Sequence, residues 1–443
     1  MIDFEAAVMR KVAWRLVPFL CIGYVINALD RYNVSIAALT MNKDLGLSAS
    51  VYGLAAGAYF WSYVLCQLPA NLVLRRLGAR TWLSIIMGVW GLVSACTALV
   101  TGETSFVAAR FVLGIAEAGY FPGVAYFMMC WFPGRYRGRM MGMFFAASAI
   151  SSVIGAPLSA NLLRLDSWLG IAGWQWVFLA EGLPAVILAL FGYTMLRNHP
   201  ADAPWLTATE RSWLQERLDT EAAQKPAQGQ RLLPSILNPR IIVLTIAFAF
   251  TLYGNYAISF FLPLIIKGTG LSNLAVGYVS ALPNLCAATG MILLSRHSDR
   301  TGERFWHVIC PVTIGGLGVL VAAFSLGNVY IAMAAFCVAV CGLASTLPVF
   351  WNLPTAYFGP ATAAAGIGVI NTVGNMSGYV APQMMGLLHD RSGGYVVPLI
   401  VVAGLALSAP VLISLSGIRR YVQGAHRPVL AGAPSAQASP ARH

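Results

Sequence analysis

Charge is what this sequence has least of. Only 10% of its 443 residues are Asp, Glu, Lys or Arg, and the acids number 16. With 58% hydrophobic residues and a mean hydropathy of +0.71, the chain carries more apolar surface than a soluble core of this length buries, which excludes a water-soluble globular protein. Histidines number six and none sits deep in an apolar run, so a histidine relay is not expected. The eight cysteines (Cys21, Cys66, Cys96, Cys130, Cys286, Cys310, Cys337, Cys341) all fall inside apolar runs without the paired spacing of a metal site, and read as small packing residues. No Gly-Lys-Ser/Thr phosphate loop is present, so ATP drive is not indicated. No set of nucleophile, base and metal ligands clusters along the chain. Neither an enzyme nor a bound cofactor or metal is expected.

What is abundant is long apolar sequence. A helix of about 20 apolar residues crosses a hydrocarbon layer of roughly 30 Å. Twelve such runs occur, near 12–38, 50–74, 81–100, 104–131, 136–164, 173–196, 241–266, 275–296, 305–326, 328–353, 362–388 and 395–418. The expected fold class is therefore an all-α membrane protein with twelve transmembrane helices. The first run passes into Asp30, Arg31 and Asn33 instead of a small-residue cleavage site, and reads as a mature helix.

The net charge of +12 suggests nucleic acid until its distribution is examined. With the N-terminus inside, 22 of the 28 Lys and Arg residues fall on the cytoplasmic side, and only Lys43, Arg164, Lys267 and Arg391 face outward. That asymmetry is the positive-inside rule at work in a multi-pass plasma-membrane protein with both termini cytoplasmic. The partner expected is the bilayer, not nucleic acid, and a monomer is expected.

One long polar stretch separates the spans. It divides the chain into a six-helix bundle over 1–196, a cytoplasmic linker over 197–240 with a charged helical pattern around Glu210 to Leu218, and a second bundle over 241–419. Residues 420–443, rich in Ala, Pro and Ser, read as a disordered cytoplasmic tail. Sliding the chain by 224 residues aligns Gly46-Leu47-Ser48 with Gly270-Leu271-Ser272, Gly53 with Gly277, and Arg76, Gly78 and Arg80 with Arg300, Gly302 and Arg304. A repeated six-helix unit is the design of alternating-access transporters, in which two bundles rock about a site at their interface.

An ionised side chain at a helix centre costs about 2.5–3.5 kcal/mol on insertion scales and demands a partner or a purpose. The candidates are Asp30, Arg31, Arg110, Glu117 and Glu181, all in the first half; the counterparts of Asp30 and Arg31 at the same offset are Gly254 and Asn255. Arg110 and Glu117 are two helical turns apart, about 10 Å, too far for a close pair. Arg31 can reach Glu117, and Asp30 another cation, in a network lining a polar cavity. Glu181 lies beside Gly182 and Pro184, where packing or capping competes with a transport role. Tyr63, Gln67, Ser148, Asn255, Asn284, Asn352, Asn371 and Asn375 offer neutral hydrogen bonds suited to a hydroxylated acid. Asn and Ser also tie helices together, and for each residue both readings stand.

Asp299-Arg300-Thr301-Gly302-Glu303-Arg304 resembles the loop motif of the major facilitator superfamily, and Arg75-Arg76-Leu77-Gly78-Ala79-Arg80 its first-half copy, with Arg75 where the motif carries an acid. Asp30-Arg31-Tyr32-Asn33, the stretch from Ala37 to Leu47, Arg110 to Glu117 and Phe121-Pro122-Gly123 are similar to the anion:cation symporter branch, which includes bacterial permeases for tartrate, galactonate, hexuronates and phthalate. The resemblance implies two pseudo-symmetric six-helix bundles and a gating loop at Arg76, Gly78, Arg80, Asp299, Arg300, Gly302 and Arg304. It implies protonation at Asp30 and Glu117, with the proton as coupling ion, and anion contacts by Arg31 and Arg110. It also implies substrate contacts by Tyr63 and by an asparagine of the Asn371–Asn375 stretch. The expected activity is import of a hydroxylated carboxylate or sugar acid by proton symport. The alternatives are an aromatic-acid transporter, a proton-coupled cation or drug antiporter, which Arg31 and Arg110 disfavour by repulsion, and a membrane-embedded enzyme or receptor.

Overall fold

A computed structural model describes residues 2–223, 238–357 and 360–419 of the chain. The described residues form helices and no strands. In the first half these are α1 (Ile2–Tyr32), α2 (Val34–Asp44), α3 (Ala49–Leu77), α4 (Ala79–Cys96), α5 (Glu103–Glu117), α6 (Tyr120–Trp131), α7 (Gly134–Leu162) and α8 (Gly173–Met195). Helix α9 (Ala208–Ala223) lies in the linker. The second half contains α10 (Pro239–Lys267), α11 (Asn273–Thr301), α12 (Trp306–Phe324), α13 (Val329–Phe350), α14 (Asn352–Tyr357), α15 (Pro360–Ser392) and α16 (Val396–Leu415). The tail after Arg419 lies outside the described residues, as does the linker over 224–237.

Ten helical stretches are long and apolar enough to cross a membrane, with α1–α2, α5–α6 and α13–α14 each forming a single stretch. The other two of the expected twelve are α3 and α15, helices of 29 and 33 residues that fall short of that apolarity. The reason is their position. They pack most extensively on one another, across the junction of the halves, through small residues and not through lipid-facing ones.

The 224-residue repeat has a structural basis. Gly46 and Gly270 both take positive φ, 65° and 88°, where a Cβ is disfavoured. Ser48 and Ser272 then cap α3 and α11, each hydroxyl accepting an N–H at 3.2 Å, from Val51 and Ala275. One turn further on, Gly53 lets α3 approach α15 so closely that a Cβ would stand 2.2 Å from the Pro382 carbonyl oxygen, and a Cβ on Gly277 would stand 2.8 Å from that of Ala156 on α7. These two contacts, with the Ser50 amide donating to Asp390 at 2.8 Å, Tyr52 to the Phe260 carbonyl at 2.9 Å and Asn161 to Tyr278 at 3.1 Å, join the halves at one end.

Gly53→Leu is expected to hold that end open, because a carbon 2.2 Å from the Pro382 carbonyl oxygen has to retreat to a contact of about 3.5 Å, forcing the helices more than about 1 Å apart. Spin labels on the adjoining ends of α3 and α15 should report a longer distance in Gly53→Leu; an unchanged distance would show that the contact does not close this end.

The two copies of the loop motif differ as their sequences do. Arg304 pairs with Asp299 at 2.6 Å and donates to Ser298 at 3.0 Å. Arg80, with Arg75 in place of that acid, donates to the Tyr193 carbonyl at 2.8 Å and lies over the Tyr193 ring. The linker helix α9 docks on the first half: Lys11 pairs with Glu210 at 2.8 Å, and Glu221 accepts from the Gly134 amide at 2.7 Å and pairs with Arg137 at 3.1 Å. The hydrogen bond from Lys11 holds the Glu210 carboxyl below the usual carboxylate range.

Candidate functional site: a buried charge network beside a central cavity

Two spans change their hydrogen-bond pattern where their charges sit. Asn33, directly after Asp30, Arg31 and Tyr32, keeps helical dihedrals and separates α1 from α2; at Ala118 and Gly119, directly after Glu117, the turn tightens, with the Ala118 N–H bonded to the Ile115 carbonyl at 3.4 Å. At Gly119 the carbonyl accepts from the Trp82 indole at 3.0 Å, and a Cβ would lie 2.3 Å from that ring. A tightened turn within a helix often marks a functional site.

Glu117 is 1% exposed. Three donors converge on its Oε2: the Tyr59 hydroxyl at 2.5 Å, the Asn27 amide at 2.7 Å and the Arg31 guanidinium at 3.5 Å, while Oε1 has no hydrogen-bond partner among the described residues. Arg31 therefore reaches Glu117, one of the pairings open to it in the sequence. Its guanidinium also lies 5.4 Å from the Tyr59 ring centroid and 5.2 Å from that of Tyr63. Asp30 is fully buried and accepts from the Asn33 amide at 3.2 Å and from the Ser94 hydroxyl. The cationic partner expected for Asp30 is not found: among the described residues no Lys or Arg lies within ion-pair distance, and Oδ2 is unpartnered.

Arg110 stands behind Arg31. It is fully buried, donates from Nη2 to the Arg31 carbonyl at 3.4 Å and lies 5.1 Å over the Tyr59 ring; its Nε and Nη1 have no partner among the described residues.

Between the halves lies a cavity of about 1080 Å³. Tyr24, Asn27, Arg31 and Ser148 from the first half face Asn255, Tyr256 and Asn284 from the second. Its lining carries two arginines, Arg31 and Arg296, and no Asp or Glu among the described residues. A cavity so lined attracts an anion and offers it neutral hydroxyl and amide partners. Asp30, Arg110 and Glu117 are not on its wall; they sit one layer behind, reached through Arg31, Asn27 and Asn33.

The remaining site candidates divide. Ser148 is on the wall. Asn375 is one step back, accepting from the wall residue Tyr256 at 3.1 Å and donating to the Asn371 carbonyl at 2.8 Å. Tyr63 stacks on Tyr59 under Arg31, and Asn352 donates to the Val349 carbonyl at 3.0 Å. Neither of these lines the cavity, nor does Asn371. Sequence reasoning missed Asn27, Asn33, Tyr59 and Ser94 as partners of the acids. Asn27 was findable, since residues 27, 30 and 31 share a helix face at i, i+3 and i+4.

Two bundles joined at one end around a central cavity, with buried charged side chains beside it, define a secondary-transporter fold. The sequence profile described as Major Facilitator Superfamily matches residues 20–382. The chain belongs to that superfamily of transporters and is not an enzyme. A protein of Agrobacterium vitis named "Putative tartrate transporter" is 42% identical over 417 residues, covering 94% of this chain and 96% of the relative. A "Quinolone resistance transporter" of Acinetobacter baumannii is 35% identical, covering 96% and 100%. Among solved structures, a bacterial homolog of the human lysosomal transporter Spinster, in an inward-facing and unoccupied conformation, has a TM-score of 0.75 at 16% identity, covering 93% of this chain and 98% of that one.

Proposed function

We propose that this protein imports an organic anion, a hydroxylated carboxylate or sugar acid of the tartrate or galactonate kind, by proton symport across the inner membrane. The observation that carries the reading is the double position of Arg31, whose guanidinium faces the cavity and also pairs with the buried Glu117. An anion entering the cavity competes for that guanidinium, and Glu117, losing its counter-charge in a desolvated place, takes up a proton. Linkage is reciprocal, so protonation of Glu117 releases Arg31 and strengthens anion binding. Asp30 is the second acid of the coupling, and Arg110 adds positive charge behind Arg31. The tartrate-transporter name of the 42%-identical relative supports the carboxylate class, and the hydroxyl and amide groups of the cavity wall suit a hydroxylated one. With both termini cytoplasmic, the joined ends of α3 and α15 are the outer gate, and the state described is inward-facing.

Reconstituted protein supplies the test. Under an inward proton gradient, labelled tartrate or galactonate should accumulate about tenfold per coupled proton for each pH unit. Anion that stays at equal concentration on both sides, with protons instead driving export of a cationic drug, would overturn the proposal in favour of an antiporter.

A further inference from the structure

Glu181 of α8 is 3% exposed and belongs to none of the groups around Glu117. Its Oε1 accepts the Ser159 hydroxyl of α7 at 2.6 Å, and Ser159 lies on the cavity wall. Asn33 and the Asp30 charge act electrostatically on its carboxyl. Asn33 is itself on the cavity wall and donates its amide N–H to Asp30. Two buried acids from different helices thus flank one asparagine, and each touches a hydroxyl: Ser94 at Asp30, Ser159 at Glu181.

Counting donors shows what the cluster lacks. Asp30 Oδ2, Asn33 Oδ1 and Glu181 Oε2 are buried acceptors without a donor among the described residues. No ion pair neutralises either acid there. A buried acceptor left unsatisfied costs about 1–3 kcal/mol, and an unpaired buried charge costs more. A proton on a carboxyl converts an acceptor into a donor and removes a charge in one step. Placed on Glu181, it removes one of the two buried charges of the cluster.

Of the charged groups on the elements packed against α8, Asp30 of α1 acts on Glu181, and Asp30 is itself influenced by Glu117 and Arg110 of α5, with Arg31 beside it on α1 paired to Glu117. Asp44 of α2 is engaged two turns away by Trp174, with Lys43 and Arg164 at that same end, and Arg80 of α4 binds Tyr193 at the other end. Facing α7 and α4 contribute only the serines at this level.

We propose that Glu181 is a further proton-binding site of the transport cycle, joined to Asp30 through Asn33 and opening to the cavity at Ser159. Water in the cavity delivers the proton past Ser159; the carboxylate becomes the neutral acid, and the same O–H bond breaks when the proton leaves. The inference rests on the proton-symport reading above and adds one titrating group to it.

The test is the slope of log anion accumulation against imposed pH difference in proteoliposomes, which equals the number of coupled protons. Glu181→Gln is expected to lower the slope by one while gradient-free anion exchange continues. A slope equal to that of the wild type overturns the inference and leaves the symport reading intact. A wild-type slope of zero overturns both. Should the Gln variant not fold, Glu181→Asp carries the decision. It keeps the acid but draws it back by one methylene from Ser159, so the slope is retained and the pH midpoint of uptake moves by half a unit or more, about a threefold change in proton affinity. A wild-type midpoint in that variant also overturns the inference, because a purely structural tie between α7 and α8 does not set a pH profile.

Discussion

Arg31→Ala is expected to weaken anion binding by about 100-fold and to remove its pH dependence. Hydrogen bonds to charged groups contribute about 1.5–3 kcal/mol each, and 3 kcal/mol corresponds to a little more than two factors of ten. Arg31 is the arginine of the cavity wall that also meets the acid network, since Arg296 sits near the end of α11 and Arg110 is sealed behind the wall. Its loss therefore removes both the attraction for the anion and the lever by which the anion acts on Glu117. Arg31→Lys keeps the charge but loses the planar fork that serves two carboxylates at once, so partial affinity with weakened coupling is expected. Isothermal titration at two pH values reads both effects. An Ala variant that binds within threefold of the wild type would show that the anion is held elsewhere in the cavity.

The residues behind this expectation were legible in the sequence because a charge inside an apolar helix is conspicuous. Asp30, Arg31, Arg110 and Glu117 stand out by insertion cost alone, and the two-turn separation of Arg110 from Glu117 left a pairing with Arg31 open, which the 3.5 Å contact makes. The layering was not legible. Nothing in the spacing distinguishes a wall position from the layer behind it, so Arg110 and Arg31 read as equals until burial separates them. Tyr59 and Ser94 are ordinary residues of apolar helices whose meaning comes from distant chain positions, Glu117 and Asp30. No proline announces the change after Tyr32; the one after Glu117 lies where Pro122 has no N–H for the Ala118 carbonyl, and it also depends on an indole 37 residues from Gly119.

The repeat illustrates the same division. An offset of 224 residues found Gly53 and Gly277, and turn chemistry accounts for Gly46 and Gly270 from local backbone alone. That Gly53 and Gly277 form equivalent contacts on α15 and α7 requires the packed halves. The asparagines near the second-half cavity were the least decided, because a single amide in an apolar helix serves helix packing and ligand binding equally well. Burial resolves this only in part: Asn255 and Asn284 reach the wall, Asn375 acts through Tyr256, and Asn352 caps the end of α13.

Glu117→Gln is expected to lower the slope of log anion accumulation against pH difference by one, while anion exchange without a gradient proceeds at near the wild-type rate. The geometry favours this outcome because the two carboxyl oxygens are unequal. Oε2 takes all three donors, from Tyr59, Asn27 and Arg31, and an amide oxygen accepts at that position as a carboxylate oxygen does. Oε1 is bare, so the amide nitrogen can occupy the place where the proton of a neutral acid would sit. Glutamine thus imitates the protonated state permanently, and its lack of charge leaves Arg31 free for the anion. Affinity should become independent of pH, at or above the value the wild type reaches in acid. The slope of log accumulation against pH difference should fall one below that of the wild type if Glu117 carries the proton that binding of the anion demands. If the slope in the glutamine variant equals that of the wild type, the Arg31–Glu117 pair is a structural tie and coupling belongs to the acids around Asn33.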